Sequence, residues 1–510
     1  MTFTIKGDYF HNNFYLPPTT GLDSSYKLLT KTNPANNDEK LWECPIDSRH
    51  ITPVVESAEI GFNSWKKTSW ADRCKFIEKF LDIVQDKKDQ ITRAISMETG
   101  RPLWETQFEL KQTIQNIRFS IPKSDSIISS QKSHEIDQDD SLGIQMATTR
   151  YRPIGPVLII SSFCHPFLIP VVNIINAMLS GSSIILKPSP YTCYTAQLII
   201  ECFHEAQFPL GVINCINGKD DISRRLLNEK NIKGVLFTGS KEVGLKVLDT
   251  THQDLSKVVS LQLSTKNTSI IHEDCNIDFV LNELLTSAFL SSGQNCTSTS
   301  LVAIHKNIQD EFISRFHQLA KKIIIDHPID YDMEPFMGPV IDKQFVDNYI
   351  LYIGMAKREG IEEIMRGKQI DKKFKGNYVT PSIHLSTTFN KNSRFMTSEI
   401  IAPTCTFIPY DDIEEAICIS NNTEFGLISS VYSQNESIIE KSLSEIQCGL
   451  ININIPTTTT LYHIPYGGIK NSGNHRQAAI NTVSDCIYPI SSLSRGQTEN
   501  NGTQLIGLSK

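Results

Sequence analysis

The chain has no CxxC pair, no Cys/His cluster at metal-ligand spacing, no run of basic residues and no basic leader followed by an apolar stretch. Each absence removes a class of protein. Twelve cysteines scattered singly fit the reduced thiols of a cytoplasmic protein, and neither a disulfide framework nor a zinc site. No metal is expected. With a formal net charge of -7 and no clustered Lys or Arg, no surface suits a nucleic-acid backbone. The opening "MTFTIKGDYFHNNFY" lacks the features of a secretory signal and alternates like an edge strand. Internal repeats and low-complexity tracts are also missing, and the closing "SRGQTENNGTQLIGLSK" is polar enough to be disordered.

What is present is apolar mass. A chain of 510 residues, 40% of them hydrophobic, exceeds one core and predicts two or three domains. Its most apolar stretch, Pro156 to Leu186, carries no Asp, Glu, Lys or Arg and is long enough to span a membrane. Pro166, Pro170, Asn173, Asn176 and Gly181 argue against a span. They divide it into a strand at Val157 to Ile160, a loop, a helix at Leu168 to Leu179 and a strand at Ser183 to Leu186, which is a buried βαβ unit.

Helical periodicity covers Trp65 to Asp86 and Glu105 to Phe119, and Gln131 to Tyr151 is a polar hairpin around "DDSLG". Between Val157 and Asp274 the runs "VLIIS", "SIILK", "GVINCIN", "GVLFTGS", "VVSLQLS" and "TSIIHE" alternate with helices, the signature of a doubly wound α/β layer. A second series follows Cys296: "STSLVAIH", a helix around Phe312 to Ile323, "PTCTFIPY", a helix at Ile413 to Ser420, and "GLISSVYS".

Three local features carry chemistry. In "SSGQNCTSTS", Cys296 stands among small uncharged residues after Gly293, a setting that suits an accessible thiol nucleophile and equally a half-buried loop cysteine. In "GVLFTGSKEVG", Gly239, Ser240 and Gly244 lie where a strand turns into a helix, so backbone N–H groups can face a phosphate, although such glycines also serve turns alone. "ILKPSP" ends a strand on Lys187, a cation at the carboxyl edge of the sheet or a solvated strand end.

Together with "RPIGPVLII", "SEIIAP", "NNTEFGL" and "PYGGIKNSGNHR", these segments occur in the order and spacing of the aldehyde dehydrogenase superfamily, which the chain resembles from about Ile5 to Leu493. The resemblance implies an α/β fold with a Rossmann-type cofactor domain (1–130 and 150–262), an α/β catalytic domain (263–475), a small β oligomerisation arm (131–149 and 476–495) and a polar tail (496–510). It implies NAD as cofactor, with NADP possible, a small aldehyde as substrate, and a homodimer or homotetramer in the cytoplasm away from membranes. Cys296 matches the nucleophile, Lys187 the adenine-ribose contact, and Gly239, Ser240 and Gly244 the phosphate turn. Leu263 joins the cofactor contacts and Glu399 matches the acid that holds the nicotinamide ribose. Arg476, in "GNHR", is a candidate partner for a dianionic substrate, because guanidinium binds carboxylate bidentately, or a structural ion pair near the arm.

The chain departs from the family pattern at the reacting centre. "LQLSTKN" stands where the family reads "LELGGKN", so Gln262 occupies the general-base position and Ser264 and Thr265 replace two glycines. An amide cannot take a proton from water, and loss of general-base help typically costs about 10²- to 10⁴-fold. "SSFCHPF" puts Cys164 where the family has an Asn that stabilises the oxyanion, and a thiol is a weak donor. Pro190 replaces an acidic residue that favours NAD over NADP. Three readings follow: a dehydrogenase with slow deacylation, an acyl transferase that passes the Cys296 thioester to coenzyme A, or a dinucleotide-binding protein with weak catalysis.

Overall fold

The computed structural model describes residues 2–17, 26–129, 133–135, 146–461, 464–477, 479–494 and 507. The turn "DDSLG" and nearly all of the polar tail lie outside them. Among the described residues there are five sheets, two of them two-stranded (Tyr26–Asn33 with Asn36–Asp47, and Phe425–Gly426 with Ile469–Lys470), and the two seven-stranded ones are the alternating α/β layers expected from the sequence.

The first sheet runs in the order Val258–Gln262, Gly234–Thr238, Val157–Ile160, Ile184–Lys187, Ile213–Cys215, Asp8–Phe10, Asn13–Tyr15. Its first five strands are parallel, and Asp8–Phe10 joins antiparallel, so the N-terminal alternation is an edge pair as anticipated. Central strands such as Val157–Ile160 are buried at every position, because helices cover both faces of a parallel sheet. The charge-free stretch is a strand, a loop and the helix Leu168–Ser180, all thirteen of whose residues are buried, followed by the strand Ile184–Lys187. Among the described residues no helix is long and apolar enough to cross a membrane.

The second sheet runs Glu362–Met365, Ser382–Leu385, Thr404–Tyr410, Thr299–His305, Asn267–Ile271, Ile428–Tyr432, Leu450–Ile453, parallel but for the first strand. In the third, Ile487–Ser494 pairs antiparallel with Met146–Pro153, which pairs with Ser133–Glu135.

Two helical expectations need adjustment. The periodicity from Trp65 onward spans a break: Ile51–Trp65 ends there and Trp70–Asp86 begins afresh, with Ser69 accepting from Asp72 N at 3.1 Å as an N-cap. The helix read at Glu105 to Phe119 is Leu103–Ile128 and continues through Pro122.

Candidate active site

The two large sheets meet at a cavity of about 340 Å³. From the first come the loop after Val157–Ile160, Lys187, and the turn Thr238, Gly239, Ser240. From the second come the segment Gly293 to Cys296 and Glu399, and the strand-to-strand connection supplies Gln262, Leu263 and Thr265. Of the ten residues singled out from sequence, eight line this cavity: Cys164, Lys187, Gly239, Ser240, Gln262, Leu263, Cys296 and Glu399.

The other two do not. A Cβ on Gly244 would lie 2.4 Å from Leu263 Cδ2, so Gly244 serves close approach of helix Lys241–Thr251 to the strand end and touches the cavity only through Leu263. Arg476 is exposed, in left-handed backbone at φ 61°, and is not among the lining residues. Nothing in "GNHR" warned of this, because the motif sets a turn and not the direction of its side chain.

Cys296 is half-buried and packs against the apolar cluster of Leu168, Val172 and Leu427. Its carbonyl accepts from Thr265 Oγ1 at 2.7 Å and Asn267 Nδ2 at 2.8 Å. The approach to it is strained, since Ser291, Ser292 and Gly293 have φ of 56°, 55° and 68° in succession, and non-glycine residues there cost of order 1–3 kcal/mol each. Side chains hold the turn: Ser291 Oγ donates to Glu105 Oε1, Ser292 Oγ to Gly338 O at 2.8 Å, and Gln294 Oε1 accepts from Ile341 N at 2.8 Å. At Gly293 a Cβ would lie 2.2 Å from the Ala402 carbonyl oxygen, so only glycine fits.

The loop bearing Cys164 is tied to the same anchor. Arg101 is buried, donates to Glu105 Oε1 at 2.7 Å and to Cys164 O at 3.2 Å, and pairs with Glu109. Glu109 Oε1 in turn accepts from Phe167 N at 3.1 Å and Leu168 N at 2.9 Å, closing the loop at the helix N-terminus. Burial opposes the Glu109 charge, but Arg101, His165 and the Leu168 N–H together hold its carboxyl below the usual range. One buried guanidinium thus fixes both cysteine-bearing segments. "METGRPLWE" contains Arg101 and Glu105, and Glu109 follows four residues later, but nothing in that spacing signals burial.

Cys164 and Cys296 both line the cavity, and Ser162 Oγ lies 3.0 Å from Cys164 Sγ. The neighbouring Cys296, with His165 and Ser162 and against the cost of burial, lowers the Cys164 pKa, while Cys164, burial and Glu399 raise that of Cys296.

Glu399 is raised to about 7 by burial, offset by hydrogen bonds from Ser264 and Thr265. Thr265 N donates to its Oε1 at 3.0 Å. The two residues that replace glycines therefore differ in effect. Thr265 lines the cavity, whereas Ser264 is not among the lining residues and its Oγ accepts from Lys241 N at 2.9 Å.

A dinucleotide fits these residues. Lys187 is buried, its pKa lowered to about 8 by burial, and among the described residues no carboxylate pairs with it, so its ammonium is available to ribose hydroxyls. Ser240 caps helix Lys241–Thr251, whose N-terminus faces the cavity through Gly239 and Ser240. Ser264 already takes one of its first-turn N–H groups, which leaves fewer for phosphate. Outside the cavity, His272, Glu273 and His305 bring ligand-type atoms within 4.8 Å of one another. There His305 Nδ1 already accepts from Asn307 N at 3.3 Å.

A cysteine between a dinucleotide-shaped crevice and a second α/β layer defines a class, and residues 22–489 match the aldehyde dehydrogenase family. The chain belongs to that family, whose members are oxidoreductases acting on small aldehydes. Among relatives, it is 31% identical over 471 residues to N-succinylglutamate 5-semialdehyde dehydrogenase of Legionella pneumophila (strain Corby), covering 91% of this chain and 92% of the relative. It is 29% identical over 467 residues to alpha-ketoglutaric semialdehyde dehydrogenase of Bacillus subtilis (strain 168), covering 91% and 93%. The crystal structure of an NAD-dependent aldehyde dehydrogenase from Sinorhizobium meliloti superposes with a TM-score of 0.90 at 22% identity, covering 98% and 96% of the two chains.

Proposed function

We propose that the chain oxidises a semialdehyde to a carboxylate with NAD or NADP, that the substrate is N-succinylglutamate 5-semialdehyde of arginine catabolism, and that the product is N-succinylglutamate. The carrying observation is that Cys296, Lys187, Gly239 and Ser240 line one cavity. The relatives' names support the substrate, and 1-pyrroline-5-carboxylate dehydrogenase from Thermus, with bound NAD and a TM-score of 0.87, supports the cofactor.

In this reading Cys296 attacks the aldehyde carbon and holds the acyl group as a thioester. The bound nicotinamide supplies the hydride acceptor. Lys187 holds the adenine ribose, the Gly239–Ser240 turn the phosphates, Leu263 the cofactor wall, and Glu399 the nicotinamide ribose once ionised. Gln262 faces the cavity without a basic atom, so hydrolysis of the thioester is the slow step. We read the chain as a cofactor domain (1–130 and 150–262), a catalytic domain (263–475) and an arm (131–149 and 476–495), with the three-stranded sheet as the surface for a homodimer or homotetramer in the cytoplasm.

Gln262 also favours a second reading, transfer of the acyl group to coenzyme A. Rapid mixing with N-succinylglutamate semialdehyde and NAD or NADP distinguishes the two. A reduced-cofactor burst followed by slow turnover supports hydrolysis, a burst whose steady phase appears only with coenzyme A supports transfer, and no burst with either cofactor defeats both.

A further inference from the structure

Threonine in place of glycine adds a hydroxyl on a side chain with little rotamer freedom, and Thr265 stands where the family pattern has the second glycine of its pair. It lies on the connection between Val258–Gln262 and Asn267–Ile271, and every residue of that connection is tied down. Leu263 N donates to Ser472 O at 2.9 Å, and Ser264 Oγ accepts from Lys241 N at 2.9 Å. Lys266 Nζ donates to Ser398 O at 2.8 Å, just ahead of Glu399. Thr265 itself is buried and lines the cavity. Its N–H donates to Glu399 Oε1 at 3.0 Å, and its hydroxyl hydrogen goes to Cys296 O at 2.7 Å in preference to Glu399 Oε1 at 3.4 Å. Glycine at 265 would keep the first bond and lose the second.

We propose that Thr265 is a positioning residue of this chain: its hydroxyl on the Cys296 carbonyl and its N–H on Glu399 hold the nucleophile in register with the carboxyl on the cofactor side of the cavity. This deepens the reading above and rests on Cys296 as the nucleophile and Glu399 as the ribose acid.

Hydride passes only when the carbon on the sulfur and its acceptor are held in line at about 3–3.5 Å. The chain leading to that sulfur is left-handed at Ser291, Ser292 and Gly293, and such strain persists only where neighbours over-determine it. The bonds of Ser291, Ser292 and Gln294 hold the turn, and those of Thr265 and Asn267 hold the Cys296 peptide itself. Of these last two, Thr265 also reaches Glu399. A shift of the Glu399 segment is therefore passed to Cys296 through one side chain, and the hydroxyl is the part of that link the family's glycine could not supply.

The test separates the hydroxyl from the volume. Thr265→Val keeps the shape without the hydroxyl, Thr265→Ser keeps the hydroxyl without the methyl, and Thr265→Gly restores the family residue. Each intact protein is mixed rapidly with N-succinylglutamate semialdehyde and the cofactor that the wild type reduces. The burst should be about tenfold slower in Thr265→Val and Thr265→Gly, and Thr265→Ser should rescue it to within about threefold of the wild type. KM for the cofactor in Thr265→Val should stay within about threefold of the wild-type value, since shape is kept. A Thr265→Val burst as fast as the wild type's, with Thr265→Ser and Thr265→Gly altered in KM, shows that position 265 acts by filling space and overturns the proposal. Iodoacetamide alkylation of Cys296, located by peptide mass, needs no aldehyde. Released from the hydroxyl, the half-buried sulfur samples more exposed orientations, so Thr265→Val and Thr265→Gly should alkylate at least about threefold faster than the wild type and Thr265→Ser should not. Equal rates in all four proteins overturn the proposal, and should Thr265→Val not fold, Thr265→Ser against Thr265→Gly decides. If alkylation differs as expected but the wild type gives no burst, the functional assignment fails and the positioning stands. A wild-type burst with equal alkylation rates has the opposite meaning.

Discussion

Gln262 and Glu399 line the cavity together with Cys296, the first an amide and the second a carboxyl that burial raises to about 7. Gln262→Glu places a base at the cavity wall, and steady-state turnover should rise by about 10²-fold or more while the initial burst keeps its amplitude. Stopped-flow absorbance of reduced cofactor checks both phases, and an unchanged steady rate denies position 262 any part in deacylation. Glu399 makes a pH prediction. Its carboxyl titrates near 7 in the folded protein against about 4.3 when unfolded. Between those values the folded state holds a proton that the unfolded state has shed, so this group lowers stability as pH rises from about 4 to 7. Glu399→Gln removes that slope. Urea midpoints should show the variant gaining on the wild type by about 1 to 3 kcal/mol between pH 5 and pH 8, and a constant difference contradicts the raised value. At this scale the sequence was informative where a role depends on residue type. Cys296, Lys187 and Gln262 could be picked from their motifs. The convergence of Cys164 and Cys296 on one cavity could not, because 132 positions separate them and only the meeting of two layers brings them together.

Arg101 acts between elements. It sits before helix Leu103–Ile128, reaches Glu105 and Glu109 on that helix, and through them and the Cys164 carbonyl binds the loop ahead of helix Leu168–Ser180 and the left-handed turn ahead of Cys296. Arg101→Met leaves two buried carboxylates without their counter-charge, a loss of about 3–5 kcal/mol. The urea midpoint should drop accordingly, and Cys296 alkylation should lose its uniform rate as the turn relaxes. A variant as stable as the wild type would show that the network contributes nothing to folding. Element boundaries explain what sequence reading missed. The apolar positions of Ile51–Trp65 and Trp70–Asp86 share a period across the break, and only the Ser69 cap marks it. Pro122 reads as a stop, yet the helix continues to Ile128. By contrast, the central parallel strands of both large sheets were legible, because burial on two faces makes each a short run of apolar residues bounded by turns, whereas Glu362–Met365, Ser382–Leu385 and Leu450–Ile453 at the flanks of the second sheet were not read.

On the scale of the molecule, the three-stranded sheet is unlike the two large ones, since its strands present solvent-facing apolar side chains. Tyr488, Leu493 and Met146 are 44%, 64% and 48% exposed, and Ile487–Ser494 forms an edge with open backbone groups. Register alternation puts Tyr488 and Met146 on one face and Leu493 on the other. A lone subunit gains nothing from such a ribbon, and exposed edges with apolar flanks invite pairing with another chain. If the ribbon is the oligomerisation arm, Tyr488→Asp combined with Leu493→Asp should convert the oligomer to a monomer in sedimentation velocity while near-ultraviolet circular dichroism of the two large layers is retained. The arm lies outside the cavity, so the monomer should still show Cys296 alkylation with wild-type pH dependence. Retention of the wild-type sedimentation coefficient would locate the subunit contact elsewhere, and a monomeric wild type would leave the ribbon without the role proposed for it.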